Sequence, residues 1–271
     1  MATYKLLALD MDGTLLNSHK RVTPRTAQAL SELAAHGVPI AFCTGRNVAE
    51  LRPYLDELSF IRYGVLVSGA LVRDFASNEA VVSYPHDLNV ALKLIEIGER
   101  EDAMVHILTT GDSFIAKRDM GRLEDVGMGV YRPLYETCAV HVDDLADAVK
   151  AYEGEVLKVN LYHLSTESRE RSRRRLEGMR ITVSTAEETS LECSPLGISK
   201  ARGLAALCEH VGCTLQEVVM VGDADNDLEV LRSVGMPVAM GNAVPEVTRV
   251  ANLQVADCDH DGIAEVVERL F

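Results

Sequence analysis

Short, wholly apolar runs alternate along the chain with longer segments in which apolar residues recur every three or four positions. The first run, Leu6–Leu9, ends in acidic residues. Thr23 followed by Pro24 then predicts the start of a helix, and Gly37 predicts its end. Because strands that alternate with helices of this length form βαβ units, the pattern predicts a parallel α/β sheet.

The same alternation is found in both halves of the sequence but not in the middle. Further strands are predicted at residues 38–43, 64–67, 218–221 and 237–240, and further helices at residues 48–58, 200–211 and 227–234. In the middle, strands such as residues 156–164 are less hydrophobic and alternate. We therefore predict one parallel α/β domain formed by residues 1–83 and 189–271, with residues 84–188 inserted as a second α/β domain.

Charge and composition narrow the possible partners and the cellular location. The chain has 271 residues, a formal net charge of −14 and six cysteines without zinc-like or C-x-x-C spacing. A nucleic-acid or anionic membrane surface normally needs an excess of basic residues, and the arginine-rich segment 166–178 also contains glutamates. No signal peptide or membrane-spanning run is recognisable. We expect a cytoplasmic protein that binds neither nucleic acid nor membranes.

Three polar segments follow predicted strands. They are residues 10–14 (Asp-Met-Asp-Gly-Thr), 44–46 (Thr-Gly-Arg) and 222–227 (Gly-Asp-Ala-Asp-Asn-Asp). Ligands of parallel sheets bind where the carboxyl ends of the strands meet. Converging carboxylates repel one another, and Mg²⁺, which prefers carboxylate oxygens, removes that repulsion. The sequence therefore predicts a magnesium site at this edge of the sheet.

The acidic residues supply the expected ligands of this cation. Asp10 and Asp223 are predicted to bind it directly, and the main-chain carbonyl of Asp12 is the third candidate. Asp227 could bind directly, through water, or support the ligands from behind, and the sequence leaves these alternatives open. By itself, segment 223–227 also fits a helix cap, whereas the glycine and glutamate of an EF-hand are missing.

The same residues can carry out phosphoryl transfer. A carboxylate oxygen of Asp10 can attack phosphorus and form an aspartyl-phosphate. Asp12, two residues later, can protonate the leaving oxygen and then deprotonate a water molecule. The transferred phosphate needs donors, which Thr44, Gly45 and Lys200 can offer near helix starts. Asn226 can donate through its amide.

Together these segments resemble the four signatures of the haloacid dehalogenase-like superfamily. They are residues 9–15 (Leu-Asp-Met-Asp-Gly-Thr-Leu), Thr44-Gly45-Arg46, Gly197-Ile198-Ser199-Lys200 and residues 222–227. The insertion after the third predicted strand, and residues 240–246, are similar to the Cof-type subfamily, whose members carry a large α/β cap. The resemblance spans the whole chain.

This resemblance implies a Rossmann-like core, a mobile cap and defined roles for the site residues. Asp10 would be the nucleophile, Asp12 the general acid and base, and Mg²⁺ would be held by Asp10, the Asp12 carbonyl and Asp223. The residues expected to contact phosphate are Met11 through its backbone, Thr44, Gly45, Lys200 and Asn226. An acidic residue at position 12 favours phosphatases and phosphomutases over dehalogenases and ion-pumping ATPases.

The expected function is hydrolysis of small phosphate monoesters, such as sugar phosphates, by a monomer or a small homo-oligomer. The alternatives are a phosphomutase and a non-catalytic protein that binds a phosphorylated metabolite. Ser68-Gly69-Ala70 stands where the subfamily usually has Asn-Gly-Ala, and Ala201 replaces a usual glycine. Four polar residues of the insertion lie beside apolar runs, and the sequence leaves their role open: His106, Arg118, Lys158 and Asn160.

Overall fold

The computed structural model describes residues 4–185 and 187–271, in which 14 strands and ten α-helices are found. The strands are β1 (Leu6–Leu9), β2 (Ile40–Cys43), β3 (Tyr63–Leu66), β4 (Leu71–Asp74), β5 (Glu79–Ser83), β6 (Met104–Thr109), β7 (Ser113–Ala116), β8 (Ala139–Val142), β9 (Val156–Tyr162), β10 (Ile181–Ser184), β11 (Ser190–Pro195), β12 (Val218–Gly222), β13 (Met236–Ala239) and β14 (Leu253–Gln254). The helices are α1 (Pro24–Ala35), α2 (Val48–Leu55), α3 (Leu88–Arg100), α4 (Arg132–Cys138), α5 (Leu145–Ala151), α6 (Thr166–Leu176), α7 (Lys200–Val211), α8 (Leu228–Ser233), α9 (Pro245–Val250) and α10 (Gly262–Leu270).

The chain divides into two compact units. The first unit comprises Met1–Gly45, Tyr54–Val82 and Ser199–Phe271, and the second comprises Arg46–Pro53 and Ser83–Ile198. The predicted division assigned residues 189–198 to the first domain. The structure includes β11 in the second sheet, because β11 pairs with β9 and β10. No helix among the described residues is long and apolar enough to cross a membrane.

The first unit contains an eight-stranded sheet in the order β14-β13-β12-β1-β2-β3-β4-β5. Adjacent strands from β14 to β3 are parallel, and β4 is antiparallel to β3. Every residue of β1, β2 and β3 is buried, as expected for parallel strands covered on both faces. The predicted parallel α/β core is therefore confirmed.

Local sequence determines where the helices of the first unit begin and end. The Thr23 side chain accepts a hydrogen bond from the Thr26 amide at the start of α1, and Pro24 occupies the first turn. Ser199 caps α7 in the same way, and α7 ends at Gly212, which has a left-handed φ of 77°. These ends place Lys200 in the first turn of α7.

The second unit contains a six-stranded sheet in the order β10-β11-β9-β6-β7-β8. Its described pairs are antiparallel except for β7 with β8. Alternate residues of the central strands form an apolar cluster with residues of α3, α5 and α6. The arginine-rich stretch forms α6, and Arg171 and Arg175 both form ion pairs with Glu101, at 2.6 and 3.0 Å. Two of the arginine charges of α6 are therefore paired within the second unit.

Candidate active site

The predicted polar segments of the first unit leave the sheet at one edge. Strands β1 and β12 are parallel neighbours that pair Leu9 with Val221, so Asp10 and the loop at Asp223 follow adjacent strand ends. The Asp10 amide donates to the Val221 carbonyl at 3.0 Å. Thr44 follows β2, the neighbour of β1 on its other side. The topology therefore brings together segments separated by more than 170 residues in sequence.

Three carboxylates and one ammonium group form the centre of this site. One oxygen each from Asp10, Asp223 and Asp227 lies within 4.8 Å of the others. Lys200 Nζ donates to Asp10 Oδ1 at 2.6 Å and to Asp227 Oδ1 at 2.8 Å. Asp10 is 5% exposed and Lys200 3% exposed. Such a cluster is costly to bury unless its charges are compensated.

Burial and the neighbouring carboxylates shift the pKa values of these groups. Burial raises the pKa of Asp10 to about 8, against the opposing effect of Lys200 and with a further rise from Asp227. Burial also raises the pKa of Asp223 to about 6. Burial alone would lower the pKa of Lys200, but the Asp10 and Asp227 carboxylates raise it well above its usual value. A divalent cation with oxygen ligands would remove this excess, so the donor set fits Mg²⁺.

Asp227 organises the loop that carries Asp223. Its Oδ2 accepts hydrogen bonds from the amides of Asp223 and Ala224, at 3.1 and 3.3 Å, while its Oδ1 accepts from Lys200. A Cβ atom at Gly222 would lie 2.5 Å from Asp227 Oδ2. A glycine is therefore required for Asp227 to fold back against the strand end.

Two residues to which the sequence analysis assigned no role orient Asp223. Thr14 Oγ1 donates to Asp223 Oδ1 at 2.8 Å, and Asn242 Nδ2 lies 3.4 Å from Asp223 Oδ2 and 2.8 Å from the Gly13 carbonyl. Gly13 has a φ of +80°, and a Cβ there would lie 2.4 Å from Asp223 Oδ2. Asn242 follows the end of a predicted strand, and this position is the feature of the sequence that could have indicated its role in the site.

A tight turn presents Lys20 to the Asp12 side chain. Asn17 Oδ1 accepts hydrogen bonds from the backbone amides of His19 and Arg21, each with an N···O distance of 3.0 Å, and Lys20 has a φ of 57°. Lys20 Nζ donates to Asp12 Oδ1 at 2.7 Å. Both side chains are partly exposed, at 36% and 29%. The pattern of apolar residues gave no indication of this pair.

The remaining predicted phosphate contacts occupy the same segments. The Thr44 amide donates to the Val65 carbonyl at 2.9 Å, so the expected main-chain donor of Thr44 is already used within the sheet. Gly45 follows directly, and Met11 lies buried between Asp10 and Asp12. Asn226 is exposed in the short 3₁₀ turn Asp225–Asp227. Their contacts with phosphate stay a prediction.

A strained turn after β3 packs against the start of α7. Val67, Ser68 and Gly69 all have positive φ, of 50°, 55° and 95°. A Cβ at Gly69 would lie 2.0 Å from the Ser199 carbonyl oxygen, directly before Lys200. The turn therefore forms with Ser68 in place of the asparagine that left-handed positions favour. Its close packing fixes the position from which Lys200 reaches Asp10.

Comparison with known proteins agrees with this architecture. The model of the haloacid dehalogenase-like hydrolase family matches residues 7–267. The chain is 30% identical over 275 residues to YxeH of Bacillus subtilis (strain 168), covering 98% of each chain. It is also 30% identical over 270 residues to an HMP-PP phosphatase of Klebsiella pneumoniae (strain 342), covering 96% of this chain and 93% of the relative.

A solved structure extends the likeness to the fold. A haloacid dehalogenase-like hydrolase from Bacteroides thetaiotaomicron superposes with a TM-score of 0.87 at 26% identity, covering 99% of this chain and 100% of that one. The likeness covers the inserted residues as well as the strand-end motifs. The chain therefore belongs to the haloacid dehalogenase-like hydrolase family, with the large insertion of the Cof type, and is a phosphatase.

Proposed function

We propose that this phosphatase hydrolyses monophosphate esters of small metabolites, with Mg²⁺ as cofactor and Asp10 as nucleophile. The observation that carries the proposal is the buried cluster of Asp10, Asp223 and Asp227 around Lys200. The name of the Klebsiella relative, an HMP-PP phosphatase, supports a small phosphorylated substrate. A cytoplasmic location and a monomer or small homo-oligomer complete the proposal.

The reaction proceeds in two transfers of the same phosphoryl group. First, a carboxylate oxygen of Asp10 attacks phosphorus, the bond from phosphorus to the ester oxygen breaks, and Asp12 donates its proton to that oxygen. Then Asp12 takes a proton from water, the water oxygen attacks phosphorus, and the bond from phosphorus to Asp10 breaks. The second transfer releases inorganic phosphate and regenerates both carboxyl groups.

The negative charge of the phosphoryl group has to be compensated by the groups that surround it. Mg²⁺, held by Asp10, Asp223 and the Asp12 carbonyl, would supply positive charge beside the phosphoryl oxygens. Lys200 favours the ionised, nucleophilic form of Asp10, and Asp227 holds Lys200 in place. The phosphate contacts that we assign are the Met11 and Gly45 amides, the Thr44 hydroxyl, Lys200 and the Asn226 amide. The inserted cap, which in the structure includes β11, is assigned to substrate selection.

Phosphate release from a panel of small phosphate esters tests this function, with and without Mg²⁺. Asp10→Asn should abolish release, whereas the exposed Asp56→Asn in the same unit should leave it intact. EDTA should stop release and added Mg²⁺ should restore it. Mass spectrometry of the acid-quenched enzyme should show phosphate on the peptide that contains Asp10.

Each part of the proposal has its own contrary result. Normal turnover by Asp10→Asn would rule out the covalent mechanism, and full activity in EDTA would rule out the metal. Transfer of phosphate to another hydroxyl of the substrate would indicate a phosphomutase. Binding of phosphate esters without any release would indicate a non-catalytic binding protein.

A further inference from the structure

Two of the six cysteines meet at the carboxyl-terminal end of α7, within the first unit. Helix α7 ends at Gly212, whose φ of 77° is left-handed. The amides of Gly212 and Cys213 both donate to the Cys208 carbonyl, each at 3.0 Å. At a helix end of this kind, the side chains of the two residues joined by the longer bond, here Cys208 and Cys213, pack against one another. The turn therefore brings two thiols together.

These two thiols lie close enough to form a disulfide. They share a hydrogen bond, and Cys213 packs against the apolar cluster to which Cys208 belongs. A disulfide needs Cα atoms that are less than about 7 Å apart. The hydrogen bond of 3.0 Å from the Cys213 amide to the Cys208 carbonyl, together with standard backbone bond lengths, keeps the two Cα atoms within about this distance. The bond can therefore form without unfolding the turn.

The two thiols differ in their access to solvent. Cys208 is 3% exposed, whereas Cys213 is partly exposed. Cys213 lines a cavity of about 330 Å³ together with Lys5 and Val38. The Lys5 side chain is 54% exposed, so this cavity borders solvent. A small molecule therefore has direct access to Cys213 and reaches Cys208 only through it.

Hydrogen bonding and charge also favour Cys213 as the sulfur that reacts first. Burial raises the pKa of both thiols, but their shared hydrogen bond raises the pKa of Cys208 and lowers that of Cys213. The Lys5 ammonium lowers the pKa of Cys213 as well, against the opposing effect of Glu217, with which Lys5 pairs at 2.6 Å. Because the thiolate is the nucleophile in thiol–disulfide exchange, we expect Cys213 to attack first.

We propose that Cys208 and Cys213 form a reversible dithiol site, which a low-molecular-weight disulfide such as oxidised glutathione converts to an internal disulfide. Cys213 loses its proton and attacks one sulfur of the small disulfide, whose S–S bond breaks, and the leaving thiolate takes up a proton. Cys208 then loses its proton and attacks the Cys213 sulfur, and the second small thiol leaves in the same way. Two protein thiols are oxidised and one small disulfide is reduced to two thiols. An excess of the small thiol reverses both steps.

This site is separate from the proposed phosphatase chemistry and does not depend on it. Helix α7 begins at Lys200 and rises by about 1.5 Å per residue, so Cys208 lies about 12 Å along the helix from Lys200. Because the thiols are already in contact in the reduced protein, we expect the disulfide to leave the first turn of α7 in place. The disulfide should instead hold the end of α7 to the loop that follows it.

Peptide mapping of the native protein in a glutathione redox buffer tests the site. Free thiols are blocked with iodoacetamide before digestion with trypsin and with a protease that cleaves after glutamate. Both cysteines lie in the tryptic peptide 203–232, which contains no other cysteine, and cleavage after Glu209 separates them. We expect the fragments on either side of Glu209 to stay joined until they are reduced. Cys213→Ser should abolish the joined fragments, whereas Cys258→Ser, a matched control at another partly exposed cysteine, should keep them.

Two further measurements test the order of attack and the contribution of the fold. In Cys208→Ser, Cys213 has lost the thiol that displaces glutathione, so its mixed disulfide with glutathione should accumulate. In Cys213→Ser, the buried Cys208 should stay reduced over the same period. The equilibrium constant for the internal disulfide should be at least about tenfold larger in the native protein than in urea, because the turn holds the two thiols together.

Several results would overturn the proposal. If the oxidised wild type carries glutathione on Cys213 and gives no joined fragments, the two sulfurs do not reach one another in the native protein. An equilibrium constant that is no larger in the native protein than in urea would show that the turn does not favour the bond. Equal rates of modification of Cys208 in Cys213→Ser and of Cys213 in Cys208→Ser would contradict the order of attack.

Discussion

Each of the two units buries a lysine against carboxylates, but the two arrangements differ in charge. In the first unit, Lys200 lies between Asp10 and Asp227, with Asp223 in the same cluster. In the second unit, Lys158 forms an ion pair with Glu192, beside Asn160, whose buried Oδ1 has no hydrogen-bond partner among the described residues. Negative charge exceeds positive charge in the first cluster, whereas the pair in the second is balanced.

This difference indicates what each unit can bind. An excess of buried carboxylates favours a cation and, through it, a phosphate group. A balanced ion pair has no such excess and therefore gives no attraction for a cation. The two sites are also built differently: the first lies on loops at parallel strand ends, and the second on alternate residues of neighbouring strands. We expect chemistry at the first and selection at the second.

The largest expected difference between the two units is in the effect of replacing their buried lysines. Lys200→Met leaves Asp10 and Asp227 without their ammonium partner, so hydrolysis of 4-nitrophenyl phosphate should fall by about a hundredfold to a thousandfold. Lys158→Met should destabilise the protein, by about 3 kcal/mol as for other broken buried pairs, yet retain this hydrolysis. Steady-state kinetics at saturating Mg²⁺, together with denaturant unfolding, measures both effects.

An exposed pair gives the control for this comparison. Lys5 pairs with Glu217 at 2.6 Å and its side chain is 54% exposed, so Lys5→Met should change neither stability nor kinetics appreciably. Equal losses of activity in Lys200→Met and Lys158→Met would contradict the division between chemistry and selection.

The turn that supports Lys200 should be the next most sensitive point. Gly69→Ala would place a Cβ 2.0 Å from the Ser199 carbonyl oxygen at a φ of +95°. Gly37→Ala has a similar φ of +85° but no atom within 4 Å. Gly37→Ala should therefore lower the free energy of unfolding by about 1 kcal/mol, because an alanine disfavours a positive φ. Gly69→Ala should lower the free energy of unfolding by more than this and should also lower kcat. If urea unfolding shows the same loss of stability in both variants, the contact with Ser199 does not contribute to the loss in Gly69→Ala.

The smallest expected effect is the pH dependence of the metal-free protein. The pKa of Asp223 is raised to about 6 in the folded state, so above its unfolded pKa of about 4 the folded state binds more protons than the unfolded state. Stability should therefore fall as pH rises from about 4 to about 7, and the pKa of Asp10, which burial raises to about 8, extends the fall to about pH 9. Mg²⁺ should raise the melting temperature more at pH 8 than at pH 5, by roughly 3 °C or more.

A variant without this carboxylate shows whether Asp223 is responsible. Asp223→Asn should give a flatter profile of melting temperature against pH in EDTA, while Asp56→Asn should keep the slope of the wild type. An Mg²⁺ effect of the same size at both pH values would argue against a cation held by the cluster.

Much of the fold and part of the candidate site could be predicted from sequence. The cap at Thr23 and the fully apolar strands act locally, so their pattern indicated the elements. Helix α2 ends at Leu55, shorter than predicted, after a proline at residue 53 inside it. The roles of Lys20, Thr14 and Asn242 were not predicted, because their partners are set by turns and by packing over long sequence distances.

The sequence by itself determined the parallel α/β core, because period and capping are properties of neighbouring residues. It also determined the family, since the Asp10–Thr14 and Asp223–Asp227 segments are contiguous motifs. Only the tertiary structure decided that Asp227 holds Lys200, that Thr44 has committed its amide, and that the buried His106 Nδ1 and Asn160 Oδ1 have no hydrogen-bond partner among the described residues. These facts depend on distances between strands and loops far apart in the chain, and the order of residues alone does not specify such distances.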